Sequence, residues 1–179
     1  MLNSKLTEKK LIKIKKSKKK IVLCHGVFDL FHFGHLNHIN EAKELGDILI
    51  ISVTSDRYVN KGPGRPFFNL KQRMQILSSI KNVDYVIASD SPNSIKIINE
   101  IKPNIYFKGP DYLDIKNDFT GFIKKEINEV KKNKGKIVYG TRETFSSSKV
   151  LNKISNFSED QKIIINEVKK NYSFDYISN

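Results

Sequence analysis

Five times along this chain, a short run rich in β-branched apolar residues is followed by a segment with helical spacing. The runs are KIVLCHGV (20–27), DILIISVTSD (47–56), VDYVIAS (83–89), NIYFKG (104–109) and GKIVYG (135–140). Each is short, apolar and closed by a turn-forming residue, the pattern of a buried strand. Between them, 35–46 repeats apolar residues at Leu36, Ile39, Ala42 and Leu45, with Gly46 as a stop. Residues 69–80 begin with an Asn cap and carry Leu70, Met74, Ile76, Leu77 and Ile80. Helices are also predicted over 91–102, with Pro92 in the first turn, over 120–133 and over 146–155. Parallel strands need crossovers, and crossover helices cover both faces of a sheet. The expectation is an α/β domain with a doubly wound, five-stranded parallel sheet. Such sheets bind ligands beyond the carboxyl ends of their strands, where the strand order reverses.

A chain of 179 residues is long enough for one well-buried core. The expected organisation is a basic extension over 1–19, a main domain over 20–156 and a helical tail or linker over 157–179. The extension includes KKLIKIKKSKKK (9–20) and reads as a short helix with Leu6, Leu11, Ile12 and Ile14 on its apolar side. The net charge of +13 raises the question of a polyanionic partner. Lysine is abundant throughout, so a solvated basic surface accounts for the same total. The basic stretch has no interleaved aromatics for base stacking, which argues against nucleic acid as the main partner. No signal-peptide core follows the lysines, and no apolar run approaches a membrane span. Cys24 is the single cysteine and sits in an apolar strand run. Together these readings predict a cytoplasmic protein with no membrane partner.

The first strand run leads into HGVFDLFHFGH (25–35), which holds three of the four histidines. Three readings compete. His32 and His35, three apart on a helix, with Asp29 as a third ligand, would begin a metal site, but a closed site needs another ligand and no Cys/His pair lies elsewhere. Packing histidines in a loop would leave Gly26 and Gly34 unexplained. Phosphate binding uses all the features: glycines let backbone approach a ligand, a helix N-terminus offers free N–H groups, and imidazoles add donors.

GVFDLFHFGH resembles the signature of the cytidylyltransferase-like nucleotidyltransferase superfamily, whose core is HxGH, here His32-Phe33-Gly34-His35. KGPGRPFFNLKQRMQIL, VDYVI, FKGPDY and TRETFSSSKV resemble the successive motifs of one branch, which includes the adenylyltransferase domain of bacterial ADP-heptose synthesis. The similarity covers about residues 20–155. It implies a Rossmann-like nucleotidyltransferase fold. It also implies a reaction in which a phosphorylated acceptor attacks the α-phosphate of a nucleoside triphosphate and pyrophosphate leaves.

By the same resemblance, His32, His35, Lys61 and Arg142 are the catalytic residues. Gly26, Val27, Phe28, Gly34, Lys108, Gly109, Asp111, Ser146 and Ser147 bind the nucleotide. Arg65 and Arg73 bind phosphate or acceptor, with Arg73 anchoring either the phosphates or the motif loop. Asp29 either braces that loop or takes part directly. Serines stand at 147 and 148 where family members often have threonines, which keeps the hydroxyls. Mg²⁺ is expected to arrive with the triphosphate, because no carboxylate cluster for a protein-built cage is visible.

ATP is the expected nucleotide, and a sugar phosphate such as heptose 1-phosphate the expected acceptor. The alternative is a CTP-dependent enzyme acting on a polyol, sugar or amino-alcohol phosphate. Many of those carry Arg-Tyr-Val-Asp where this chain has Lys81-Asn82-Val83-Asp84. A basic nucleic-acid-binding module and a regulatory half that binds nucleotide without turnover are the readings from other classes. The resemblance further implies a homodimer and, in some relatives, fusion to a sugar-kinase domain.

Overall fold

The computed structural model describes residues 8–61, 64–113 and 121–142, all of which fall within one compact unit, Met1–Phe145. The strands are β1 (Ile21–Gly26), β2 (Ile48–Thr54), β3 (Tyr85–Ser89), β4 (Ile105–Lys108) and β5 (Lys136–Tyr139). The helices are α1 (Glu8–Lys16), α2 (Phe33–Glu44), α3 (Leu70–Ser78), α4 (Ile95–Ile101) and α5 (Ile123–Lys132). All strand pairs are parallel, in the order β3-β2-β1-β4-β5. Leu23 of β1 lies opposite Ile50 of β2 and Tyr106 of β4. The strand order reverses between β1 and β4, which makes that gap the switch point where ligands bind in such sheets.

Period-two alternation divides the strand residues between two apolar layers. On one face Val22, Cys24, Leu49, Ile51, Val53, Ile105 and Phe107 pack with Ile39 and Ala42 of α2 and Leu77 of α3. On the other, Leu23, Ile48, Ile50 and Tyr106 pack with Ile97, Ile98 and Ile101 of α4 and Val130 of α5. The doubly wound expectation is therefore met. Cys24 is fully buried, and that burial raises its thiol pKa.

Several boundaries differ from the predicted ones for local reasons. The second strand ends at Thr54, and Asp56–Tyr58 forms a single 3₁₀ turn. The fourth helix starts at Ile95 rather than near Pro92, and the amide of its N-cap Ser94 is taken by the Glu126 carboxylate at 3.0 Å. Asn69 does cap α3, in a reciprocal capping box with Gln72. Helix α1 is tied to the domain: Ile14 is buried in the second layer and Lys15 donates to the Glu100 carbonyl at 2.9 Å. Ile12 departs from its expected apolar side and is 47% exposed. Leu6, the predicted helix over 146–155 and the 157–179 tail lie outside the described residues.

Gly46 turns the chain from α2 into β2 at a point of close approach. A Cβ there would stand 2.8 Å from the Lys20 carbonyl oxygen and 2.7 Å from a Val22 methyl. That same carbonyl accepts from the amides of Asp47 and Ile48, so it cannot easily yield. Gly46→Ala is expected to destabilise the domain by about 1–3 kcal/mol through overpacking. Urea unfolding checks this; an unchanged midpoint would contradict the packing described.

Candidate active site

Strand β1 ends at Gly26, and six residues later His32 caps α2 in an extended conformation. The Nδ1 of His32 accepts the Gly34 amide at 3.1 Å. In accepting, that nitrogen carries no proton, so the neutral ring holds its proton on Nε2 and offers it as a donor. His35 follows in the first turn and stacks on His32 with ring centroids 4.0 Å apart. Phe28 and Phe31 flank the His35 ring at 5.4 and 5.5 Å. Burial, then His32 and Lys61, push the His35 pKa down to about 3, so the ring is neutral near pH 7. Burial and Lys61 also lower the pKa of His32. The Nδ1 of His35 is buried and has no hydrogen-bond partner among the described residues. Such a cost is expected where a residue is kept for chemistry rather than packing.

The loop leading to this pair is strained. Phe28 and Leu30 have φ values of +51° and +47°, in the left-handed region that non-glycine residues rarely adopt. Asp29 lies between them and is 1% exposed. Its Oδ2 accepts the Phe67 amide at 2.8 Å and its Oδ1 the Phe68 amide at 3.0 Å. Arg65 stands 3.0 Å away as an ion pair. Burial alone would raise the Asp29 pKa; the two amides and Arg65 outweigh it and hold the carboxyl below its usual range. Of its two expected roles, the structure gives Asp29 the bracing one.

Arg73 completes the clamp. Expected to bind phosphate or acceptor or to anchor the motif loop, it is fully buried. Its guanidinium donates to the carbonyls of Phe68, Val27 and Thr54 at 2.9, 2.5 and 2.8 Å, and to Asp56 at 2.6 Å. The fork thus joins the ends of β1 and β2 to the loop before α3, which is the motif-loop role. Val27 takes part through its backbone, and Phe28 as a buried wall against His35.

Lys61 reaches the histidine pair closely enough to disfavour protonation of both rings. Its own pKa is lowered by desolvation and by Arg65, against the pull of Asp29. His32, His35, Lys61 and Arg65 therefore gather beyond the carboxyl ends of β1 and β2. Gly62 and Pro63, between Lys61 and Arg65, lie outside the described residues.

Across the switch point, Lys108 ends β4, but it is 6% exposed rather than open to a ligand. Its ammonium pairs with Glu126 at 3.1 Å and lies 5.0 and 4.5 Å from the ring centres of Tyr106 and Tyr112. Gly109 begins the following turn, and Asp111 is exposed on it. Arg142 is not brought to the histidines: it pairs with Glu44 at 2.9 Å, roughly 13 Å of helix axis beyond His35. Glu41 holds the same segment by accepting the Thr141 amide and hydroxyl at 2.8 and 2.9 Å. Ser146 and Ser147 lie outside the described residues. Among the described residues, no group of three His, Cys, Asp or Glu side chains is placed to hold a metal.

Residues 23–172 match the family model described as cytidylyltransferase-like. The chain belongs to that family. It is 34% identical over 155 residues to the bifunctional protein HldE of Helicobacter acinonychis, covering 86% of this chain and 31% of that one. It is 40% identical over 112 residues to the protein of the same name from Campylobacter jejuni, covering 62% and 24%. The chain thus spans about a quarter to a third of these curated relatives. Among solved structures, the lipopolysaccharide core biosynthesis protein of Thermoplasma volcanium matches with a TM-score of 0.59 at 28% identity, over 70% of this chain and 98% of that one. A pantoate-beta-alanine ligase of Francisella tularensis shares the fold, with a TM-score of 0.56 at 19% identity, over 95% of this chain and 78% of that one.

Sequence reasoning did not select Glu126, Asp56 or Glu41. Each is an acid whose partner lies far along the chain, so it reads as solvated surface until that partner is seen.

His25, His35 and His38 are held at about 4, 3 and 4, in each case chiefly by burial. The unfolded chain takes up these protons near pH 6.5 and the folded one resists them. Their contribution to stability is fully present above about pH 6.5 and is lost as pH falls towards 4. Urea midpoints at pH 7 and pH 5 check this: the midpoint is expected to be lower at pH 5, and equal midpoints would contradict the buried neutral histidines.

Proposed function

We propose that this chain is a nucleotidyltransferase that moves the nucleoside monophosphate of ATP onto a sugar phosphate and releases pyrophosphate. The observation that carries the reading is the stacked His32–His35 pair at the N-terminus of α2, next to Lys61 and beside the switch point. A helix N-terminus and imidazole N–H donors match the charge on a phosphorus under attack. The acceptor phosphate oxygen forms the new P–O bond to the α-phosphorus, and the bond to the β-phosphate breaks. No proton need move, since the attacking phosphate is ionised. The chain's task is to align the two phosphates and offset their charge.

In this reading, His32 and His35 donate to the triphosphate. Lys61 supplies a point charge that offsets the repulsion between the two anions. Arg65 holds Asp29 and adds its charge to the same lip. The donor set is imidazoles and cations, with Asp29 already engaged, so the described residues build no cage for Mg²⁺. The ion belongs to the substrate, carried by the triphosphate oxygens. The choice of acceptor rests on the HldE relatives and on the resemblance to the adenylyltransferase branch. Heptose 1-phosphate is the first candidate, and a sugar kinase is the activity that would supply it.

The test is pyrophosphate release from ATP and from CTP with Mg²⁺ and a panel of sugar, polyol and amino-alcohol phosphates. Release with ATP and a sugar phosphate is expected; release only with CTP would move the chain to the cytidylyl reading. His35→Ala is expected to lose roughly 10²–10³ in turnover, the cost of one transition-state donor. Turnover within threefold of wild type would refute the role given to the histidine pair.

A further inference from the structure

A second polar group lies on the sheet face opposite the His32–His35 pair, at the same carboxyl edge. Lys108 and Glu126 are both buried, at 6% and 4% exposure. The Glu126 carboxylate is fully engaged. Its Oε1 accepts the Ser94 amide at 3.0 Å, and its Oε2 accepts the Tyr106 hydroxyl at 3.0 Å and faces the Lys108 ammonium at 3.1 Å. Ser94 and Tyr106 also share a hydroxyl hydrogen bond of 2.8 Å. This one carboxylate therefore joins α5, β4 and the start of α4.

The network has a direction. Burial alone would strip the Lys108 proton, but Tyr106, Glu126 and Tyr112 outweigh it and raise the pKa, so the ammonium stays charged. Burial alone would raise the Glu126 pKa; Lys108, then the Ser94 amide and hydroxyl, outweigh it and lower the pKa. The ammonium then lies over the ring of Tyr112, 4.5 Å from its centre. Tyr112 closes the 3₁₀ turn Pro110–Tyr112, whose amide returns to Gly109 at 3.2 Å. On the other side, His25 is the β1 residue just before Gly26, and its pKa responds to both Lys108 and Glu126. The pair thus sits beneath the switch point, between the last residues of β1 and the first turn after β4.

A buried ion pair is weak evidence of added stability, because desolvation offsets the attraction. Apolar residues would fill this layer at least as well, so its retention asks for another reason. We propose that Glu126 is a positioning residue for nucleotidyl transfer: through Lys108 and the ring of Tyr112 it holds the 109–113 turn in place as the second lip of the nucleotide site. This rests on the nucleotidyltransferase reading above and deepens it. The link that matters is electrostatic and runs through a ring face, so it requires an aromatic at 112 rather than mere bulk.

The decisive comparison is Tyr112→Leu against Tyr112→Phe in the full chain. Tyr112 is only partly buried, so both variants are expected to fold. Tyr112→Leu is expected to raise KM for Mg·ATP about tenfold with kcat little changed, while Tyr112→Phe keeps the wild-type KM. The double variant Lys108→Met with Glu126→Gln removes both charges together and keeps acceptors for the Ser94 amide. Its thermal midpoint should stay close to wild type while its KM for Mg·ATP rises as in Tyr112→Leu. Equal KM values in Tyr112→Leu and wild type would overturn the proposal, as would a rise of the same size in Tyr112→Phe. If wild type neither turns over nor binds Mg·ATP in a calorimetric titration, the nucleotidyltransferase reading fails and takes the proposal with it. An active wild type with insensitive variants removes the proposal alone.

Discussion

The two amide hydrogen bonds of Asp29 are what the rest of the site depends on. They hold a loop with two non-glycine residues in the left-handed region, at a cost of order 1–3 kcal/mol each. Such a conformation persists only where its surroundings over-determine it. The carboxylate does this from inside the loop, and Arg73 from beneath, through the Val27 carbonyl. Both draw on the rigid end of the β1–β2 pair and on the chain just before α3. The position of the His32–His35 pair is thus a consequence of the sheet, transmitted by two buried charged groups.

The electrostatics follow from the same burial. Lys61 and Arg65 bring positive charge to the carboxyl edge, and Asp29 offsets only part of it. Charged imidazoles there would add like-charge repulsion, and desolvation already disfavours them. Neutral rings keep an N–H donor without that repulsion. In the proposed reaction, an incoming triphosphate would meet fixed cations and oriented dipoles that need little rearrangement, the condition under which such groups contribute most to catalysis.

The five-fold strand–helix alternation made the sheet and its binding edge legible, because buried parallel strands leave continuous apolar runs. HxGH stood out as a candidate phosphate site because it falls at the one strand–helix junction with paired glycines and histidines. The resemblance leaves Arg73 between anchoring the phosphates and anchoring the motif loop. A helical arginine near an Asn cap looks the same whether it faces solvent or is driven into three carbonyls, and only the tertiary fold distinguishes these. Arg142 was expected among the catalytic groups by resemblance, but a motif match says nothing about the Glu44 carboxylate beside it. Ile12 shows the limit of helical periodicity: α1 is anchored mainly by Ile14, so a neighbouring apolar residue is left exposed. Glu126 escaped notice because its partners lie on β4 and at the start of α4, distant in sequence.

In the proposed reaction, His32 and His35 are neutral, preset donors to the phosphates of a nucleotide. The most direct measurement is nitrogen NMR of isotope-labelled histidines near pH 7, alone and with a non-hydrolysable Mg·ATP analogue. Neutral rings are expected in the free protein, His32 with its proton on Nε2, with shifts of both rings when the analogue binds and little movement of the His25 resonance. Charged imidazoles in the free protein, or nucleotide binding that leaves His32 and His35 unshifted, would contradict it.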